Sequence, residues 1–381
     1  MNFYTQAAET IIRVNRDNIG YDIKTKNLRY ITYGNKPIPT TPALQAKVTP
    51  AFVASLPINI GYSGSDPEIF AQTPDGQVVP AWEYLPTESE TKEEFVAAYW
   101  DGAQSEISVK AGVNCHGVLV RYIQQGLREI HEALVSKFPT ATLVCKDVVE
   151  LPHINSYPGH CVQLGCMPSY NAYDIPAIDI PNPYALPLRF SGVHLHYSAY
   201  SSYDDVASWF PIGTVVAMDR VAGLMLCALG RDLEDPRRRQ YYGRPGEYRT
   251  PKRPNNNHAL EYRTPAAWLM HSPQTFSLGL DLGRAAYKLG LVLDGRSLQI
   301  PAVESIILNS DADAACRVLK RYHKFFKVVL STIYGAGRGA ATFEYCLAGV
   351  RKHKVFSNSV ANNWRLDKSV DNHFADWGPS L

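Results

Sequence analysis

Three short runs place chemistry-bearing side chains two residues apart: Asp66 and Glu68 in GSDPEIF, His194 and His196 in RFSGVHLHYS, and Glu261 and Arg263 in LEYRT. In an extended chain, residues i and i+2 share a face. The histidine run shows the pattern most fully. Gly192, His194, His196 and Ser198 fall on one side, and Val193, Leu195 and Tyr197 on the other. A chain with this alternation is restricted to a sheet whose apolar face builds a core while its other face carries ionisable groups. Gly192 on that second face lets a ligand come close to the backbone.

The change of period elsewhere predicts helices. In NCHGVLVRYIQQGLREIHEALVSKF, the residues Val118, Tyr122, Ile123, Leu127, Ile130 and Leu134 form one stripe, with Asn114 as the expected N-cap. Residues 212–229 read as helical. Near the C-terminus, Ser310 or Asp311 is expected to cap a single helix carrying Val318, Leu319, Tyr322, Phe326, Val329, Leu330 and Ile333. Strands covered by helices give an α+β fold class. The domain reading is an N-terminal extension over 1–56, a catalytic domain over 57–300 and a helical region over 301–381. The 381 residues are enough for such a core.

Net charge is +2, which argues against a nucleic-acid partner even though Tyr241, Tyr242 and Tyr248 interleave with the basic run after residue 236. No long apolar run is expected to span a membrane. The seven scattered cysteines, with no leader-like segment after Met1, point to a reduced, cytoplasmic protein. Cys161 and Cys166 lie near His153 and His160, but the spacing fits no standard zinc knuckle.

Adding Glu106 from DGAQSEI, with Asp101 close by, the sheet would present several carboxylates, up to two imidazoles and an arginine on one surface. Packed carboxylates repel one another unless protonated or neutralised by cations, and a donor set dominated by oxygen favours Mg²⁺ or Mn²⁺ over Zn²⁺. Arg237, Arg238, Arg239, Arg244, Arg249, Lys252, Arg253 and Arg263 follow within one stretch, and guanidinium forks match phosphate oxygens. Acids, metals and arginines together suggest phosphoryl transfer. The P-loop, kinase and dinucleotide fingerprints are absent. Each motif also has a bland reading: Asp66-Pro67-Glu68 as an edge-strand turn, and the paired histidines as a structural or zinc feature.

In order along residues 58–272, GSDPEIF, DGAQSEI, LGCMPSYNAYD, RFSGVHLHYS, MDRVAGL and RRRQYYGRPGEYRTPK…ALEYRTPAAW resemble the phage-encoded COOH-NH2 ligase type 2 family of the glutamine synthetase-like superfamily. The resemblance implies a curved antiparallel sheet with flanking helices, holding ATP and Mg²⁺ or Mn²⁺. It implies joining of a small-molecule or peptide carboxylate to an amine through an acyl phosphate, in the host cytoplasm if the protein is phage-encoded. By the same resemblance Glu68, Glu106, His194 and Glu261 are metal ligands supported by Asp66. Arg244, Arg249 and Arg263 act on the phosphates, and His196, Lys252 and Arg239 are expected at the nucleotide. Two departures stand out: Met167 and Ser169 replace acids of the family's GCDPDYNAW-like segment, and RPNNNHAL replaces a short glycine link after Lys252. A homo-oligomer is compatible with the sequence. The rival readings are a small-molecule or guanidino-type kinase on the same fold, and a non-catalytic phage structural or assembly protein.

Overall fold

The computed structural model describes residues 19–22, 27–33, 36–38, 60–109, 115–159, 161–162, 169–176, 178, 182–199, 211–251, 259–292, 295–350 and 359–366. Expectations for Asn114, His160, Cys166, Met167, Lys252 and Arg253 lie outside the described residues. Strands β1 (Ile19–Asp22), β2 (Asn27–Tyr33) and β3 (Lys36–Ile38) form a small antiparallel sheet within the expected N-terminal extension.

The main sheet is antiparallel and mixed with helices, as expected for an α+β chain. Its long strand β4 (Ile60–Gln72) runs into a PDG turn and β5 (Val78–Val79). A tight hairpin follows, β6 (Val96–Asp101) and β7 (Gln104–Val109), with Gly102 at φ 64 supplying the positive φ of the turn. Next come β8 (Thr142–Val144), β9 (Val148–Glu150), β10 (Tyr170–Asn171), β11 (Leu188–Phe190) and β12 (Val193–Ala199), then β13 (Glu247–Arg249) and β14 (Leu260–Tyr262). The order across the sheet is β10-β13-β14-β12-β4-β7-β6, with β5 and β8 pairing the far end of β4. Strands β9 and β11 pair with each other apart from it.

Pro67 sits inside β4, not in an edge turn. Residues 60–67 pair with β12, and Glu68 and Ile69 pair with β7, so the proline falls where the strand passes from one ladder to the next. Its missing N–H is tolerated there.

Helix α1 (His116–Lys137) buries Leu119, Val120, Ile123, Leu127, Ile130 and Leu134 against the sheet. Its Gly126 lies so close to the sheet that a Cβ there would meet Ile107 Cγ2 at 2.6 Å. Behind the sheet, α2 (Pro211–Met218) continues through a π-turn over Asp219–Gly223 into α3 (Leu224–Leu229). This 19-residue stretch is long and apolar enough to cross a membrane by length and composition only. In the fold 89% of it is buried, so core packing accounts for its apolar character.

A short helix, α4 (Arg238–Tyr241), precedes β13, and α5 (Pro273–Val292) packs beside α1 and α2. The C-terminal region holds α6 (Val303–Leu308), α7 (Ala312–Arg321), α8 (His323–Tyr334), α9 (Ala336–Ala348) and α10 (Val360–Trp364). Asp311 caps α7, accepting from Ala314 N at 2.8 Å. The single helix expected from the hydrophobic stripe is broken at Tyr322, so Leu319 belongs to one helix and Phe326, Val329 and Leu330 to the next. All these side chains share one hydrophobic core with the sheet and α1, so the expected boundary near residue 300 does not separate two cores.

Candidate functional site

Registers across the sheet fix which side chains meet. Glu68 stands opposite Glu106, which stands opposite Tyr99. His194 stands opposite Asp66, and His196 opposite both Gly64 and Glu261, with Arg249 next in line. The reverse face carries Ile69, Ile107, Leu195, Tyr197 and Tyr262 into the core. The chemical face read from the alternation is therefore assembled across six strands.

One oxygen from each of Glu68, Asp101 and Glu106 falls within 4.8 Å of the others. Glu106 accepts from the Tyr99 hydroxyl at 2.8 Å, and Glu68 Oε1 accepts from the Tyr242 hydroxyl at 2.9 Å. Glu68 is 1% exposed, and its Oε2 has no hydrogen-bond partner. Burial, and then the negative charge of Asp101, push the Glu68 carboxyl up to about 8, while Arg263 and Tyr242 act in the opposite direction. Glu106 is raised well above the carboxylate range by burial and then by Asp66, Glu68 and Asp101. Asp101 is also raised, first by burial.

His194 is buried, and its two ring nitrogens face protein groups. Nε2 meets the Tyr242 hydroxyl, and Nδ1 lies 3.6 Å from Glu261 Oε1. Burial, then Arg263 and His196, hold its imidazole well below the usual histidine range, which favours the neutral ring. His196 Nε2 lies 3.1 Å from Asp66 Oδ2. Beside this pair a pocket opens, bounded by Tyr62, Ser198, Pro251 and Ala259.

The expected arginines divide. Arg263 bonds to Glu261 through Nη1, and Arg249 Nη1 lies 3.7 Å from the same oxygen. The positive charge of Arg263 acts on Glu68, Asp101 and His194, which places it in the same electrostatic neighbourhood. Arg244 is held elsewhere: its backbone N donates to Glu247 Oε2 at 2.9 Å, and its guanidinium contacts Glu247 Oε1 at 3.3 Å and Ile175 O at 3.3 Å. Arg239, expected at the nucleotide, directs its fork at Glu234 and the carbonyls of Gly243 and Thr264. The structure does not bring these two into the acid row. Ser169, where the resembled family has an acid, bonds to Glu247 beside Arg244.

Tyr99 and Tyr242 were given no place at the site by motif reading, and Asp101 was placed beside Glu106 without a ligand role. For Asp101 a signal existed: in a hairpin closed by DG, residue 101 pairs with Gln104 and so shares the face of Glu106. Tyr242 comes from the turn after α4, where no periodicity operates.

The donor set suits a hard divalent cation. Three carboxylates converge, burial and then neighbouring negative charge raise their proton affinity, and one buried oxygen is left without a hydrogen-bond partner. An all-oxygen group of this kind could hold an oxygen-seeking cation in preference to zinc. The chain matches no protein-family profile and no curated protein sequence.

Proposed function

We propose that the protein is an ATP-dependent carboxylate-amine ligase with a glutamine synthetase-like sheet. The observation that carries this reading is the acid trio Glu68, Asp101 and Glu106 on the same sheet face as Arg249 and Arg263. These three carboxylates would hold Mg²⁺ or Mn²⁺, and Asp66, His194 and Glu261 surround them. A bound cation would offset charge on the phosphate oxygens of ATP.

The chain's own residues supply the rest. Arg263 and Arg249 are the expected contacts for the γ-phosphoryl group, where a planar fork offsets charge as it grows in transfer. The substrate carboxylate attacks the γ-phosphorus, the bond to the bridging oxygen breaks, and ADP leaves with its electron pair. The amine then attacks the acyl carbon, phosphate departs, and the nitrogen loses a proton. No enzyme nucleophile is required. Burial of Glu68, His194, Glu261 and Arg263 keeps water from much of this surface.

A structural or assembly protein would have no use for an acid trio whose proton affinities stay raised beside Arg249 and Arg263. A kinase on the same fold would use the same groups, so the products decide. Mass spectrometry after incubation with ATP, Mg²⁺ and pools of acids and amines should reveal ADP, phosphate and an amide, all dependent on the amine. AMP with pyrophosphate would sink the acyl-phosphate route. A phosphorylated product formed without amine would replace the ligase by a kinase.

A further inference from the structure

We infer that Tyr242 and His194 work together as a clamp that orients Glu68 toward a divalent cation, His194 positioning the clamp and not ligating the metal. The inference rests on the cation site proposed above.

Tyr242 follows α4, and its hydroxyl sits between Glu68 Oε1 and His194 Nε2. The ring cannot drift, because Arg238 lies over it at 4.9 Å from the centroid and Arg263 at 5.5 Å. Arg238 is itself fixed by the carbonyls of Ser191, Thr264, Arg263 and Pro265. The position of the hydroxyl is thus set by the backbone around β12 and β14.

This hydroxyl takes one oxygen of Glu68 and leaves Oε2, which is buried and has no partner, as the oxygen available to a cation. Because the Tyr242 hydroxyl donates to Glu68, it accepts from His194 Nε2–H; Nδ1 lies 3.6 Å from Glu261 Oε1, and the ring contributes no atom to the converging acid oxygens. Its ring meets that of Tyr242 edge-on at 5.7 Å, which holds the hydroxyl against Glu68. Without the hydroxyl, Glu68 is at liberty to turn toward Arg263, whose charge already acts on it.

The test uses Mn²⁺ alone with the full chain, free Mn²⁺ being followed by its electron paramagnetic resonance signal. Tyr242→Phe keeps the ring and its arginine contacts, and is expected to weaken Mn²⁺ binding on the order of 10-fold or more, as loss of a partner that orients a metal ligand does. His194→Gln should weaken it similarly, and the double variant should lose much less than the product of the two. The electron spin echo of Mn²⁺ on the unaltered protein should lack the ¹⁴N coupling of a coordinated imidazole. That measurement needs no variant to fold.

A coordinated histidine nitrogen, an unchanged affinity in folded Tyr242→Phe, or multiplicative losses in the double variant would each overturn the clamp while leaving the cation site standing. Failure of the unaltered protein to bind Mn²⁺ would overturn both.

Discussion

The acid trio and the basic run after residue 236 are both clusters of like charge, yet the fold treats them oppositely. Arg238 reaches four backbone carbonyls, Arg239 reaches Glu234 and two carbonyls, Arg244 is paired with Glu247, and the exposed Arg237 with Asp235. Glu68, Asp101 and Glu106 instead crowd together, their carboxyls raised by burial and then by neighbouring acids, Glu88 in the case of Asp101. A charge cluster answered by the protein's own groups is architecture. The acids keep raised proton affinities despite the nearby charges of Arg249 and Arg263, so the protein's own groups offset them only in part. Of the described arginines expected to handle phosphate, Arg249 and Arg263 stand with the acids.

The largest expected effect separates the two kinds of arginine. Arg263→Ala should lower turnover by about 10²–10³ with a modest change in nucleotide affinity, and Arg263→Lys should recover part of the rate, because charge survives and the planar fork does not. Steady-state kinetics with nucleotide titration check this, and full activity in Arg263→Ala would detach β14 from the site. Arg238→Ala should instead act on stability, by about 3–5 kcal/mol, since buried carbonyls lose their donor and a large side chain is removed. Urea unfolding reads it directly. An unchanged midpoint would move Arg238 out of the architectural group.

The acids should reveal themselves through pH. Glu68 is raised from 4.5 to about 8, so the fold favours its protonated form. The associated stability is present below about pH 4.5 and is lost as pH rises through about 8. Asp147 and Asp219, each raised to about 7, act in the same direction. The metal-free protein should therefore become easier to unfold as pH rises over this window. Glu68→Gln should flatten part of the slope, and Mn²⁺ should stabilise the unaltered protein more at the alkaline end. Superimposable slopes for the two proteins would remove Glu68 from the cluster.

The smallest effect belongs to the rear of the sheet. There Ser63 Oγ lies 3.1 Å from His116 Nε2, His116 Nδ1 lies 2.7 Å from Asp281, and Tyr334 donates to Asp281 at 2.9 Å. This chain of satisfied groups ties β4 to α1, α5 and α8. Ser63→Ala should cost about 1 kcal/mol, read from denaturant midpoints, and leave Mn²⁺ affinity unaltered. A shift in Mn²⁺ affinity would show that the two faces of β4 are coupled.

Much of the site's grammar is local. Alternation in GSDPEIF, GVHLHYS and LEYRT assigns Asp66, Glu68, His194, His196, Glu261 and Arg263 to one face, because the side-chain period of a strand is two whatever its neighbours are. The stripe Ile123, Leu127, Ile130 and Leu134 assigns the buried face of α1 in the same way, though Leu119 and Val120, rather than Val118 and Tyr122, complete it. The break at Tyr322 was not legible, since the hydrophobic stripe runs through it. Nor was the burial of Arg239 and Arg244, because a guanidinium reads the same in sequence whether it meets phosphate or a backbone carbonyl.

The sequence by itself determined which residues could share a face. The tertiary structure decided which of them meet. Glu68 faces Glu106 because β4 changes partners at Pro67, Asp101 joins them because the β6–β7 hairpin turns at Gly102, and Tyr242 enters from a turn far along the chain. Periodicity fixes direction within a strand, whereas strand order and register arise only when distant segments bury their apolar faces together.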